Sequence, residues 1–318
     1  MRVFDLPAFD LPQPNPAPKL IAFSPDGRTL AAWADGRVFA IDCVAGGART
    51  LSSAADTARA EGSALALTPD GKQVLARHAS SDPEGRDPPI AAVFTHDAET
   101  GATARTFPLH GLNCGLAATP DGRTVVVARH PTPRGNDAEF VRWNPLTGER
   151  SEPFARHRGV VRQVTLSADG RWLAGTFGDE LRVWHLAGKK LPSRAARHHP
   201  FRLGNFVVSL ALSADGALAA AGEFRGATLL VDVNTGALHA IENRTRGYGR
   251  DLAFHPTRPL LAYSGANADV VFYDAAARTE LKRFAWGIGD ASALAFSADG
   301  LLCAAASAGK VVVGDVDV

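Results

Sequence analysis

The chain has 318 residues, of which 46% are hydrophobic and 21% are charged, so it can bury a large core and is not a disordered chain. Its formal net charge is +1, which argues against a protein that coats nucleic acid, because such proteins carry a strong basic excess. The length admits either two domains or one large all-β domain.

Cysteine usage and hydrophobic patterning bound the cellular location. Cys43, Cys114 and Cys303 stand far apart without a CxxC pair, which predicts buried thiols in a reducing compartment. The N-terminal segment lacks the apolar run of a signal peptide, and no window approaches the roughly 20 apolar residues of a membrane span. We therefore expect a cytoplasmic protein without membrane contact. The excess of Arg over Lys is typical of GC-rich codon usage and favours a bacterial origin.

One short phrase recurs along the whole chain. In chain order its copies are FSPDG (23–27), LTPDG (67–71), ATPDG (118–122), LSADG (166–170), LSADG (212–216), a weaker FHPTR (254–258) and FSADG (296–300). The fourth position of the phrase returns after 42 to 51 residues, from Asp26 to Asp299. Asp-Gly favours a hairpin turn, since Asp bonds nearby amides and Gly accepts a positive φ. Seven units of this period predict the four-stranded blades of a propeller.

An apolar strand precedes each turn. Its central residue is small in every copy, namely Ala22, Ala66, Ala117, Thr165, Ala211, Ala253 and Ala295. Apolar residues flank this column on both sides, which predicts an innermost strand wedged between neighbouring sheets. A second apolar strand follows each turn, as in TLAAWA and WLAGTF. A third strand ends in a recurring pair: Ile41-Asp42, Trp143-Asn144, Trp184-His185, Val231-Asp232, Tyr273-Asp274 and Gly314-Asp315.

With these features the chain resembles the WD-repeat family over essentially its whole length. The resemblance implies seven blades of four antiparallel strands, a to d from the centre outward, and recognition of protein partners. His157 stands at the spacing of the family's Gly-His dipeptide, with Arg156 in place of the glycine, and the resemblance implies that it braces a blade together with Trp184. The other six units lack the histidine, and Gly178 occupies the position of the family's bracing Asp. TolB-like and lactonase-like propellers are alternative relatives.

The predicted fold is all-β, with the whole chain, 1–318, forming a single seven-bladed propeller. The last unit stops after its third strand, so we expect residues 1–10 to supply the outer strand of blade seven and to close the ring. The predicted blades span residues 19–55, 62–108, 113–155, 160–192, 206–242, 249–285 and 291–318.

The two faces of such a propeller differ in composition. The Asp-Gly turns and the turns between strands c and d share one face, here called the bottom face. The connections between strands b and c, and those that lead from strand d to the next strand a, share the top face. The top face is rich in Arg and aromatic residues, which suit carboxylates and protein interfaces. The partner-binding candidates are Lys19, Trp33, Arg77, Arg129, His130, Arg162, Phe201, Arg202, Tyr248, Arg250 and Trp286.

The central channel is the alternative place for a site. Seven residues before the turn Asp stand Lys19, Ser63, Cys114, Arg162, Val208, Arg250 and Ser292. Three cations and no carboxylate are a poor cage for a hard divalent metal, and we expect the nearby Glu61, Asp251 and Asp290 to pair with those cations. The pair His198-His199 lacks a further ligand at metal spacing. No metal, cofactor or catalytic residue is predicted.

The sequence therefore predicts a non-catalytic interaction scaffold that binds an acidic peptide or protein surface on its top face. The alternative is a lactonase-like or hydrolase-like enzyme with a site at the central channel. Nucleic acid is disfavoured by the near-zero net charge, and we expect a monomer. The fold alone licenses no specific function.

Overall fold

The computed structural model describes residues 1–6, 20–34, 37–51, 65–68, 70–80, 90–110, 115–119, 122, 125–129, 137–159, 161, 163–177, 179–186, 201–203, 207–223, 228–241, 251–264, 269–288, 291–307 and 309–318. All the regular secondary structure within these residues is β-strand. The strands fall into seven sheets of four.

Blades one to four contain sixteen strands. Blade one consists of β2 (Leu20–Phe23), β3 (Thr29–Ala34), β4 (Arg37–Asp42) and β5 (Ala48–Thr50). Blade two consists of β6 (Leu65–Leu67), β7 (Gln73–Ser80), β8 (Ile90–Asp97) and β9 (Thr103–His110). Blade three consists of β10 (Gly115–Ala118), β11 (Val125–Arg129), β12 (Asp137–Trp143) and β13 (Ala155–Arg158). Blade four consists of β14 (Gln163–Leu166), β15 (Trp172–Phe177), β16 (Glu180–His185) and β17 (Phe201–Arg202).

Blades five to seven contain the remaining strands. Blade five consists of β18 (Val207–Leu212), β19 (Leu218–Glu223), β20 (Thr228–Asp232) and β21 (Leu238–Ile241). Blade six consists of β22 (Leu252–Phe254), β23 (Leu260–Ser264), β24 (Val270–Asp274) and β25 (Thr279–Phe284). Blade seven consists of β26 (Ala293–Phe296), β27 (Leu302–Ser307), β28 (Lys310–Asp315) and the N-terminal β1 (Arg2–Asp5).

The sheets form a closed ring. Within each sheet the strands follow one another in an antiparallel order, from the innermost to the outermost. Each innermost strand contacts that of the next blade, and β26 contacts β2, so the seven inner strands surround a central axis. The fold is a seven-bladed β-propeller, as the repeat predicts.

The N-terminal strand closes the ring, as expected. β1 pairs antiparallel with β28, in a register that places Arg2 opposite Val313 and Asp5 opposite Lys310. Phe4 points into the joint between blades seven and one and is only 7% exposed. The last blade thus combines strands from the two ends of the sequence, and its outer strand covers an edge that β28 alone would expose.

The recurring phrase forms one turn geometry. In five copies a Ser or Thr hydroxyl donates to the Asp carboxylate two residues later, for example from Ser24 to Asp26 over 2.6 Å. The same hydroxyl accepts the amide N–H five residues later, here that of Thr29 at 2.8 Å. The glycine that follows has a positive φ, 69° at Gly27. Because these bonds are local, the phrase fixes the turn wherever it occurs.

The core lies between the blades rather than in one central mass. One buried apolar cluster fills each of the seven joints between adjacent blades. The cluster between blades seven and one includes Phe4, Ile21, Phe39 and Val313, for example. Each blade is therefore apolar on both faces, which explains the near-continuous hydrophobic strands in the sequence.

Polar contacts on the bottom face link successive blades. A cation of one blade donates to a backbone carbonyl just after strand c of the next blade in four joints. These pairs are Arg2 with Cys43, Arg49 with Ala98 (2.9 Å), Arg142 with Leu186 (2.7 Å) and Lys282 with Asp317 (2.8 Å). Arg2 on β1 thus makes the contact that Arg49 makes one blade later.

The fourth blade differs from its predicted bounds. β17 pairs with β16, so this blade continues beyond residue 192 to at least Arg202. Residues 187–200 therefore connect strand c to strand d instead of leading to the next blade. Phe201 and Arg202 belong to the outer strand itself, whereas the sequence analysis assigned them to a top-face loop. In blades one, two, five and six, by contrast, four or five residues connect strand c to strand d.

Candidate functional site

The strand directions define two unlike faces. The Asp-Gly turns and the c–d turns lie at one end of every sheet, and the b–c and d–a connections lie at the opposite end, which is the top face. The strand b of blade two, β7, continues two residues further toward the top face than its counterpart β3, measured from the turn Asp. At about 3.3 Å per residue, strand b of blade two extends about 7 Å further than strand b of blade one.

Many of the predicted partner-binding residues cannot be located on this face. Lys19, His130, Arg162, Tyr248 and Arg250 lie outside the described residues. Arg77 belongs to β7, and Phe201 and Arg202 belong to β17, but the structure describes only the backbone of these three residues. The contacts of these eight side chains stay predictions.

Two predicted partner-binding residues are buried. Trp33 is 2% exposed in the joint between blades one and two, and Trp286 is 9% exposed in the joint between blades six and seven. The indole of Trp286 covers Gly314, where a Cβ would lie 3.3 Å from its ring. It thus fills the space left by glycine at the strand c position that is Trp or Tyr in blades three, four and six. Burial removes both indoles from the interaction surface, so this part of the prediction was wrong.

Arg129 belongs to a charged ladder across blade three. Glu139 on β12 stands opposite Arg129 of β11 and Arg156 of β13. Its carboxylate lies 3.4 Å from the Arg129 guanidinium and 2.9 Å from that of Arg156. The Glu139 side chain is only 9% exposed, whereas that of Arg156 is 73% exposed. One nearly buried carboxylate therefore holds two guanidinium groups, which leaves a net positive charge at the surface of this blade.

His157 and Trp184 meet at a shared aromatic ring. The imidazole of His157 lies 3.7 Å from the ring centre of Phe177, and the Trp184 indole packs edge-on against the same ring at 6.0 Å. His157 belongs to the outer strand of blade three, and the other two residues belong to blade four. Glu180 lies 3.9 Å from the imidazole and also pairs with Arg182. The bracing role of His157 and Trp184 stays a prediction.

The central channel contains a cavity of about 250 Å³. All seven inner strands contribute to its wall, which consists mainly of Ala, Leu, Ile and Phe residues. Thr119 and Thr165 supply the polar side chains among the lining residues that the structure describes. The small column predicted from the sequence contributes directly, through Ala22, Ala66, Ala211, Ala253 and Ala295.

Two residues near the channel connect neighbouring inner strands through contacts that the sequence did not predict. The Gln163 amide donates to the carbonyl of Val208 in the next blade over 3.1 Å. The Asp251 carboxylate accepts the amide N–H of Leu294, also in the next blade, over 2.8 Å. Gln163 and Asp251 both stand six residues before the turn Asp position. The described partner of Asp251 is thus a backbone amide rather than the cation expected from the sequence.

Burial dominates the titration of Asp251. It raises the pKa of this carboxyl group to about 6, although the hydrogen bonds from the amides of Leu294 and Leu252 act in the opposite direction. The other blades carry Leu20, Ala64, Gly115, Gln163, Ser209 and Ala293 in this column, so the repeat gave no signal for a carboxylate with this environment.

No group of three or more His, Cys, Asp or Glu side chains that could hold a metal ion occurs within the described ranges. His198 and His199 fall in the connection that precedes β17, outside those ranges. Among the residues that the structure covers, no helix has the length and apolar character needed to cross a membrane. No protein-family model matches the sequence, and no curated protein matches it either.

Proposed function

We propose that the protein is a non-catalytic interaction module of the WD-repeat type, which binds an acidic peptide or protein surface across its top face. A cytoplasmic monomer fits this proposal. The observation that carries it is the ladder Arg129–Glu139–Arg156, since Glu139 fixes two guanidinium groups while Arg156 keeps N–H donors open to solvent. Guanidinium groups held in place in this way suit bidentate binding of carboxylates.

The shape of the neighbouring blade supports the same proposal. Blade two rises about 7 Å above blade one at the end where the ladder of blade three also lies. A raised sheet beside a row of cations forms a stepped surface, and an extended acidic segment could lie along the step. Lys19, His130, Arg162, Tyr248 and Arg250, which belong to the connections of this face, would extend the surface.

The lining of the channel bears on the enzyme alternative. Hard cations take oxygen ligands, mainly carboxylates, and no carboxylate side chain occurs among the described residues that line this stretch of the channel. Elemental analysis of the purified protein tests the alternative independently, because a lactonase-like site would retain a stoichiometric metal ion.

Capture of partners from a lysate of the source organism tests the proposal. The test variant is Arg162→Glu with Arg250→Glu, and a second variant, Arg156→Gln, probes the ladder. The matched control is Arg28→Glu with Lys72→Glu, which changes the charge equally on exposed residues of the bottom face. We expect the top-face variants to lose a partner that the wild type and the control retain. A partner retained equally by every variant would contradict the proposal and place the interface elsewhere.

A further inference from the structure

Blade six departs from the turn geometry of its neighbours. In its phrase, His255 stands at the Ser position and Thr257 stands at the Asp position. The hydroxyl–carboxylate pair of the other turns cannot form there. The imidazole takes over, since its Nδ1 accepts the amide N–H groups of Thr257 at 3.2 Å and of Arg258 at 3.1 Å. In the other turns the Asp carboxylate instead accepts the amide two residues after it, as Asp26 accepts that of Arg28, whereas blade six has Pro259, without an N–H, at that position.

The same ring reaches the next blade. Nε2 of His255 lies 3.0 Å from the carbonyl oxygen of Gly300, in the Asp-Gly turn of blade seven. The ring packs edge-on against Phe296 at 5.3 Å, and His255 is only 4% exposed. A Cβ on Gly300 would lie 2.3 Å from the imidazole, so only glycine permits this approach. His255 therefore links the turns of two blades, through a contact with a residue 45 positions later in the sequence.

These contacts select one protonation state. Nδ1 faces two N–H donors and must accept, whereas Nε2 faces a carbonyl and must donate. The neutral Nε2–H tautomer satisfies all three backbone groups. A proton on Nδ1 would point at the two amide hydrogens. The imidazolium would therefore lose both hydrogen bonds and move out of its position in the turn.

We propose that His255 is an acid-sensitive latch between blades six and seven, seated while neutral and unseated when Nδ1 takes up a proton. Release would loosen the bottom rim of the ring at this joint, while the apolar cluster between the two blades stays in place. The remaining turns of the rim that carry Ser or Thr with Asp have no group that titrates near neutral pH at this position.

The charged neighbours of the imidazole are Arg258 from its own turn and Asp299 from the turn of blade seven. Burial lowers the pKa of His255 most, and the Arg258 charge adds to this, whereas the Gly300 carbonyl and the Asp299 carboxylate act in the opposite direction. The net direction is downward. The folded state thus binds fewer protons than the unfolded state, whose histidine titrates near 6.5, and the stability that the latch contributes is lost as the pH falls below about 6.5.

Asp251 at the same joint responds to acid with the opposite sign. Its folded pKa of about 6 lies above the ordinary value, so protonation of Asp251 favours the folded state as the pH falls through about 6. A measurement of global stability would mix the two effects. The latch is therefore tested by local observables, and global measurements are made in an Asp251→Asn background.

The first experiment uses the wild-type protein and needs no substitution at the latch. Nitrogen NMR of the imidazole is expected to show the Nε2–H tautomer at pH 7.5 and a titration midpoint below 6.5. Hydrogen exchange of the Thr257 and Arg258 amides, corrected for intrinsic rates, is expected to accelerate by up to about tenfold per pH unit below 6.5. A midpoint at or above 6.5, or amide protection that does not change down to pH 5, would overturn the proposal.

The second experiment replaces the imidazole with a Ser-x-Asp pair. The variant His255→Ser with Thr257→Asp removes the imidazole and introduces a Ser-x-Asp pair, whose carboxylate lacks the amide partner of blade seven because Pro259 has no N–H. Amide exchange at residues 257 and 258, corrected for intrinsic rates, is expected to be independent of pH from 7.5 to 5. The matched control is His239→Ser, since His239 also lies at a joint between blades, 3.3 Å from the hydroxyl of Tyr273. The control is expected to keep the wild-type acid response. An acid response of the His255→Ser, Thr257→Asp variant equal to that of the wild type would refute the latch.

Discussion

Replacement of Phe4 by alanine tests how strongly the N-terminal strand closes the ring. Phe4 is 7% exposed and packs in the cluster between blades seven and one, on a strand that pairs with β28 along four residues. Truncation of a buried Phe to Ala costs about 3–5 kcal/mol through lost burial and the cavity that remains. We expect a loss of unfolding free energy in this range, measured by urea denaturation that is followed by circular dichroism and by tryptophan fluorescence.

The neighbouring residue supplies the control for this substitution. Val3 lies on the same strand but points outward and is 50% exposed, so Val3→Ala should change the unfolding free energy by no more than about 0.5 kcal/mol. The m-value should stay that of the wild type in both variants. A loss below about 1 kcal/mol for Phe4→Ala, or equal losses for the two variants, would refute the view that this strand anchors the closure.

Two further substitutions test contacts that the fold depends on. Gly216→Ala should destabilise the protein by about 1–3 kcal/mol more than Gly46→Ala in urea denaturation, because both residues have a positive φ but only the Gly216 Cβ would meet a ring, 2.2 Å from Trp172, whereas nothing lies within 4 Å of Gly46. Equal losses would show that the Trp172 contact carries no strain. Glu139→Gln should cost about 1.5–3 kcal/mol, since it removes charge-assisted bonds to Arg129 and Arg156, while the exposed Glu149→Gln should be neutral within about 0.5 kcal/mol. A neutral Glu139→Gln by the same assay would contradict the ladder.

The fold could be predicted because its information is local. The Ser-x-Asp-Gly turn forms from hydrogen bonds within six residues, as in Ser24 to Thr29, and its repetition sets both the number of blades and the face on which each connection lies. The closing strand could be predicted from the incomplete last unit. These inferences need no knowledge of which distant residues meet.

The site was predicted less well because it depends on contacts between distant residues. Trp286 resembles an exposed loop aromatic until Gly314, 28 residues later, shows an empty space for it to fill. Arg129 resembles a free cation until the register places Glu139 between it and Arg156. The weak sixth phrase resembles a degraded repeat, whereas His255 makes contacts there that its neighbours lack. The sequence period identifies equivalent positions in the blades, but it does not show which distant residues contact them.

The pairing of β1 with β28 also decides how the ring would yield to mechanical load. The strands are antiparallel, and Arg2 and Val313 form the pair nearest the bottom face, so tension applied through residues 1 and 318 acts on this pair first. The hydrogen bonds would then break one after another, as a zipper opens, rather than together in shear. In a propeller closed in this way, the joint that Phe4 fills stabilises the ring against heat. The same ring should open under a small pulling force, and blade seven should be the first blade to lose a strand.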